Sequence, residues 1–246
     1  MRDVSSDLRR VLRAGLGSML VLSLSLSLSL SLSWFGPAQE AHGFDLCTKT
    51  KNRNKIHEYR NIKPLGLKEG DIIFHKSKSS QSEAIRIATN SQFNHTAILL
   101  KYGGTLVALE AVQPVKRTPI EQFIARGEGH FVVKRLRDHE AVLTPAVLTR
   151  MKELGNRYQG KPYDIYFRWD EEMIYCSELV WKLYKQAAGI EIGKLQNISE
   201  LNLDHRVVQR LIEKRYGRQA VLPQNEPIIS PQSIYESERL VTVHTQ

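Results

Sequence analysis

The stretch Ile174-Tyr175-Cys176-Ser177-Glu178-Leu179-Val180-Trp181 decides how the rest of this chain is read. From Ile174 to Ala188 the residues Cys176, Leu179, Val180, Leu183, Tyr184 and Ala187 recur at helical spacing, and Gly189 follows as a stop. The spacing predicts a helix with Cys176 in its first turn. Unpaired backbone N–H groups and the helix dipole at that end favour a thiolate, so a nucleophile would gain reactivity there. A plainer reading uses the same pattern: Cys176 falls on the apolar face with Leu179, Val180 and Leu183, and free cysteine is among the most buried residue types. Position alone leaves both readings open.

Far upstream of that helix, Gly70-Asp71 is a turn signal leading into Ile72-Ile73-Phe74, a first core strand. Ala84, Ile85 and Ala88 lie at helical spacing within Ser82 to Thr89. Asn94 to Leu100 reads as a strand, Tyr102-Gly103-Gly104 as a turn, and Thr105 to Val112 as the returning strand of a hairpin. After Pro114 and Pro119 come a helical turn at Ile120 to Ala125 and a strand at Phe131 to Leu136. Leu143 to Tyr158 is a helix with Val147, Leu148, Met151 and Leu154 on one side, and Gly160 to Asp164 is a loop. Residues 224–246, punctuated by Pro227 and Pro231, are expected to form a loosely structured tail with at most a short helix at Pro231 to Ser237. The sum is an α+β fold in a single domain over 44–246.

Two polar residues stand out against the apolar strands. His95 opens its strand after Asn94, where an imidazole could reach the helix end and accept a thiol proton; a hydrogen-bonded structural histidine fits the position as well. Glu110 is a carboxylate inside Val107-Ala108-Leu109-Glu110-Ala111-Val112, fifteen positions after His95. Such residues usually face solvent, yet the hairpin could lay Glu110 beside His95 on one face, where it would hold the ring's tautomer.

Composition narrows the class. The chain has 246 residues, 41% hydrophobic and 25% charged, and a formal net charge of +9. The basic residues are dispersed and no reading module is present, so no nucleic-acid partner is expected. Residues 1–43 have the three parts of a secretory signal: Arg9, Arg10 and Arg13, an apolar Leu-Ser stretch from Leu16 to Phe35, and small residues near Ala41-His42-Gly43. The expectation is export to the periplasm or cell envelope, with contact to a membrane only if that segment stays uncleaved as an anchor. Cys47 and Cys176 are the two cysteines, too few for a disulfide framework or a four-thiolate zinc site. His57, His75, His130 and His139 lack the spacing of a shared site, so neither a metal nor another cofactor is expected.

Taken in order, Gly70-Asp71-Ile72-Ile73-Phe74, Ser79-Ser80-Gln81-Ser82 with Ala84-Ile85, Asn94-His95-Thr96-Ala97-Ile98, Glu110-Ala111-Val112 and Tyr175-Cys176-Ser177-Glu178-Leu179-Val180 resemble the YiiX-type, circularly permuted branch of the NlpC-like papain superfamily. The resemblance spans roughly Leu65 to Lys185. It implies a permuted papain-like fold, with an antiparallel sheet or half-barrel packed on the helix that carries the nucleophile. In that family the histidine and a polar residue on the next strand precede the cysteine, so the implied triad is Cys176, His95 and Glu110. Thr96 departs from the small or β-branched apolar residue that often follows the histidine.

Tyr163 looks like the tyrosine that precedes the nucleophile in many relatives and helps hold an oxyanion; a turn aromatic capping the core is the bland alternative. The implied chemistry is amide hydrolysis through an acyl-enzyme, with peptidoglycan peptides as first substrate. A lipid-directed acyltransferase or hydrolase is the second reading, and an envelope binding module without turnover the third. A hydrophobic tunnel beside Cys176 would favour the lipid reading, and an open polar groove the peptide one. Oligomeric state is left undetermined.

Overall fold

The computed structural model describes residues 65–246 except 79 and 220. The expected signal or anchor over 1–43 and Cys47 lie outside the described residues. Eight strands occur among them: β1 (Ile72–His75), β2 (His95–Tyr102), β3 (Thr105–Glu110), β4 (Lys116–Pro119), β5 (Phe131–Leu136), β6 (Gln196–Asn197), β7 (Pro227–Ile228) and β8 (Leu240–Thr245). The helices are α1 (Ser80–Ala88), α2 (Ile120–Arg126), α3 (His139–Val142), α4 (Pro145–Tyr158), α5 (Cys176–Ala188), α6 (Arg206–Tyr216) and α7 (Pro231–Tyr235).

Six strands form one antiparallel sheet in the order β4-β3-β2-β1-β5-β8. Its central strands are apolar on both faces because both are covered. Ile72, Phe74, Ile98, Leu100 and Leu109 turn to one side, where they meet Leu179, Val180 and Leu183 of α5 and Met151 of α4. Ile73, Ala97, Leu99 and Ala108 turn to the other, against Phe123 and Ile124 of α2. The period-two alternation of a strand therefore divides the core into two layers.

Local chemistry sets the ends of the elements. The Thr144 hydroxyl accepts from the Val147 N–H and Pro145 occupies the first position of α4, a standard helix start. In α5 the Glu178 carboxylate reaches back to accept the Tyr175 N–H at 3.3 Å, and Gly189 closes the helix in the left-handed region at φ 72°. At the entry to β1, Gly70 has φ 84°, and a Cβ there would collide with Leu143 Cδ1. The next residue, Asp71, is fully buried and clamped by Arg135 of β5, with Nε to Oδ1 and Nη2 to Oδ2 both at 2.7 Å, while the Lys68 N–H donates to Oδ2.

The strands and helices expected around the hairpin and the cysteine are all present within a few residues. The loosely structured tail is not: β8 pairs along β5 from Val132↔Thr245 to Leu136↔Leu240, α7 buries Ile234, and β7 pairs with β6. Pro227 and Pro231 mark the starts of β7 and α7 rather than a loss of order, because proline is tolerated at the first residue of either element. Strand β4 and helix α6 have no counterpart in the sequence expectations.

Removing the Asp71 carboxylate would leave Arg135 facing a buried gap. Asp71→Ala is expected to lower folding stability by about 3–5 kcal/mol, read as a shift in the urea unfolding midpoint at unchanged slope.

Candidate active site

The register of the β2–β3 hairpin is the first thing that builds the site. Ile98 pairs with Leu109 and Leu99 with Ala108. Continued by one step, this register sets Glu110 opposite Ala97, the diagonal neighbour of His95 on the same face. The two side chains meet there: His95 Nε2 lies 2.6 Å from Glu110 Oε2, with Glu110 fully buried. The imidazole stacks on Phe123 of α2 at 5.5 Å and meets the His75 ring of β1 edge-on at 5.1 Å.

A buried carboxylate needs more than one partner. Arg126, from the last turn of α2, donates through Nη2 to both Glu110 oxygens at 2.6 and 2.5 Å, and the Thr118 hydroxyl of β4 donates to Oε1 at 2.5 Å. Burial by itself would raise the Glu110 pKa. The bonds to His95, Arg126 and Thr118 overcome that and hold it at about 2. Arg126 and Thr118 are not among the residues that the sequence singles out. They come from elements distant from any motif, and no local signal marks them.

Cys176 is the first residue of α5, on the opposite side of the sheet from Phe123. It reaches His95 because His95 is the first residue of β2 and its ring turns across the strand end. The thiol and the imidazole lie close enough for each to shift the other's titration, and with Nε2 on Glu110, Nδ1 is the nitrogen left for sulfur. For His95, burial disfavours the charged ring, but the bonds to Cys176 and Glu110 dominate and carry its pKa to about 9. For Cys176, burial pushes the thiol up, while His95 and the backbone N–H groups of Thr96 and Ser177 bring it below the ordinary thiol value. The pair is thus biased toward thiolate and imidazolium. Thr96, the residue that departs from the family pattern, is fully buried with its hydroxyl donating to the Ile73 carbonyl, so it is accommodated as strand packing.

Tyr163 is half-buried in the loop before α5, pinned by its N–H to Gln113 Oε1 at 2.7 Å and by a bridge to Ile174. Burial and the neighbouring Cys176 together push its phenol pKa up. Tyr163 packs against the main core, as its reading as a turn aromatic expects, and it also borders both cavities beside the thiol.

The first turn of α5 is stiffened from below. The Ser177 hydroxyl donates to the Ile229 carbonyl at 2.8 Å, and the Ile229 N–H donates to the Tyr175 hydroxyl at 3.1 Å. In the same turn, buried Glu178 contacts the ammonium of Lys182, one turn further on, at 2.8 Å; burial still pushes the Glu178 pKa up to about 8, against the pull of that ammonium. Two cavities adjoin at Ile85, Asn94 and Tyr163, and the second of them reaches the thiol. One, of about 430 Å³, is bordered by His95, Asn94, Gln113, Arg126 and Tyr163. The other runs beneath α6 and is bordered by Cys176, Tyr163 and mostly apolar residues.

A thiol at a helix start beside a carboxylate-held imidazole on an adjoining antiparallel sheet is the arrangement of a papain-like cysteine hydrolase, here with histidine and carboxylate ahead of cysteine in the chain. Residues 66–244 match the model of the family described as "Permuted papain-like amidase enzyme, YaeF/YiiX, C92 family", and the chain belongs to that family. It is 41% identical over 175 residues to a protein from Escherichia coli (strain K12) named "Uncharacterized protein YiiX", covering 71% of this chain and 84% of that one. The crystal structure of the metalloprotein YiiX from Escherichia coli O157:H7 is similar with a TM-score of 0.67 and 40% identity, covering 73% of this chain and 97% of that one.

The two shifts have opposite consequences with pH. Glu110, depressed to about 2 from 4.5, adds stability above pH 4.5 that is lost as the pH falls toward 2. His95, raised from 6.5 to about 9, adds stability below pH 6.5 that is lost as the pH rises through 9. Glu110→Gln removes the charge that supports the imidazolium, so Cys176 should titrate at higher pH. Alkylation of Cys176 by iodoacetamide at pH 7 is expected to slow, with the pH profile moving upward by roughly tenfold in thiolate per pKa unit. An unchanged profile would separate Glu110 from the thiol.

Proposed function

We propose that this chain hydrolyses an amide bond through a covalent thioester on Cys176, with His95 as proton carrier and Glu110 as the residue that orients it. The single observation behind this reading is the continuous line from the thiol through the imidazole to a carboxylate kept ionised in the core.

The Cys176 thiolate attacks the acyl carbonyl, forming a C–S bond as the carbonyl π pair moves to oxygen. Backbone N–H groups in the first turn of α5, which have no intrahelical acceptor, and the Tyr163 hydroxyl donate to that oxyanion. Collapse breaks the C–N bond, and the His95 imidazolium gives its proton to the departing amine. Neutral His95 then takes a proton from water, whose oxygen attacks the thioester; the acid leaves and Cys176 regains its thiolate, with the proton back on His95. Glu110 holds Nε2 throughout, so that Nδ1 faces sulfur.

The Escherichia coli O157:H7 neighbour is described as a metalloprotein. Among the described residues of this chain no three His, Cys, Asp or Glu side chains are grouped so that they could hold an ion. His95 and Glu110 already spend their facing atoms on each other. The steps above use side chains and backbone groups of this chain alone.

On the leaving side, the wider cavity with Asn94, Gln113 and Arg126 on its walls suits a polar, peptide-like amine, which fits the peptidoglycan expectation. The signal read in residues 1–43 makes the periplasm or cell envelope the compartment in this proposal.

Cys176→Ala is expected to abolish turnover and adduct formation while leaving the fold intact. Tyr163→Phe should lower kcat by about 10–100-fold with little change in KM, the pattern of a donor used mainly in the transition state. Intact-protein mass spectrometry with an activated ester decides the first point: an acyl adduct that persists in Cys176→Ala would refute the assignment.

A further inference from the structure

Helix α6 presents two unlike faces. Val208 is buried and Leu211 and Ile212 border the cavity beneath the helix, so its apolar side is spent on the protein itself. The outer side carries Arg206, Arg210 and Lys214, all exposed and each four positions from the next. At that spacing the three cations form one row along the helix, and like charges so placed repel one another. None of the three is ion-paired with a carboxylate among the described residues. Exposed lysines elsewhere are matched, Lys68 by Glu140 and Lys185 by Glu191.

The row ends at an apolar edge. Two large hydrophobic residues are exposed among the described residues, Val221 at 90% and Ile165 at 38%, and both stand beside the C-terminal end of α6. Val221 comes shortly after Gly217, which closes the helix, and its neighbour Leu222 borders the cavity under α6. Ile165 precedes Tyr166, whose carbonyl accepts the Tyr216 hydroxyl from the last turn of α6 and whose ring meets the Tyr216 ring edge-on at 5.2 Å. The other exposed cations at this end have partners, Arg218 in Glu213 and Arg168 in Asp170, so the unmatched charge is that of the row.

We propose that the outer face of α6, with Val221 and Ile165 at its end, docks on a bilayer that contains anionic phospholipid. An unmatched row of cations calls for a surface of negative charge, and exposed apolar side chains beside paired tyrosines call for one with an oily layer beneath that charge. A soluble anionic polymer would serve the row and leave Val221 in water. A neutral bilayer would take Val221 and leave the row unmatched. An anionic leaflet satisfies both, and long basic side chains suit it, because their stems cover apolar surface while their heads stay among the phosphates. The contact depends neither on an anchor in residues 1–43 nor on the thioester reading.

The test is sedimentation of the full chain with vesicles of phosphatidylcholine alone and of phosphatidylcholine mixed with phosphatidylglycerol. At roughly fivefold per cation, partition is expected to be on the order of 100-fold stronger on the anionic vesicles, and to weaken as added salt screens the charges. An anchor in the N-terminal segment would add binding to both kinds alike, so the ratio between them reads the row. Replacing the row together, Arg206→Gln, Arg210→Gln and Lys214→Gln, should remove the preference while leaving thermal unfolding and the alkylation of Cys176 in solution unchanged. Bimane attached at Val221→Cys, in a chain with Cys47→Ser and Cys176→Ser, should shift its emission to the blue on the anionic vesicles. Equal partition onto both kinds of vesicle, or a preference that the triple substitution leaves intact, would overturn the proposal. So would an anionic preference with no shift at position 221, or binding to soluble polyglutamate as tight as to the vesicles, either of which would assign the row to an anionic polymer.

Discussion

The contact between His95 and Glu110 is the constraint around which the rest of the site is arranged. A carboxylate with no exposure to solvent is costly unless its charge is matched. The fold spends three separate elements on matching it: β2 brings the imidazole, β4 the Thr118 hydroxyl, and α2 the Arg126 guanidinium. Helix α2 has a second function in the same place, since Phe123 stacks on the ring that Glu110 holds. The imidazole is therefore fixed in position by packing and in orientation by charge.

The sheet keeps the reacting partners on different sides until the strand end. His95 and Glu110 belong to the layer beneath α2, and Cys176 to the layer built on α5. They meet only because His95 is the first residue of β2 and Cys176 the first of α5, so both sit where their elements begin. A thiol at that point borders the cavity under α6, which adjoins the one on the His95 side at Asn94 and Tyr163. The one on the His95 side is open and mixed in character, and the one under α6 is narrow and apolar.

Much of this is legible in the chain for physical reasons. The turn at Gly70-Asp71, the hairpin around Gly103-Gly104 and the long periodic pattern of α5 are local signals, and each is realised within a few residues. The tail departs from expectation because Leu240 to Thr245 is a short mixed strand that gains its order from pairing with β5 rather than from its own composition. Helix α6 carries a readable apolar stripe, but its importance lies in what it covers, which no spacing within the helix reveals. Arg126 is out of reach altogether: an arginine ending a short helix looks like an ordinary dipole partner until the fold aims it at Glu110.

Reading the residues in order is enough to say which side chains could carry the chemistry and on what local element each would stand: a thiol opening a helix, an imidazole opening a strand, a carboxylate within the returning strand. Those are properties of residues separated by a few positions, set by backbone periodicity and turn geometry. Packing in three dimensions was needed to bring the three together, to keep the carboxylate ionised through Arg126 and Thr118, to set Tyr163 against the thiol, and to end an apolar cavity there. Each of these depends on burial and on pairing between segments far apart in the chain. Desolvation and a cavity wall exist only once those segments have packed together.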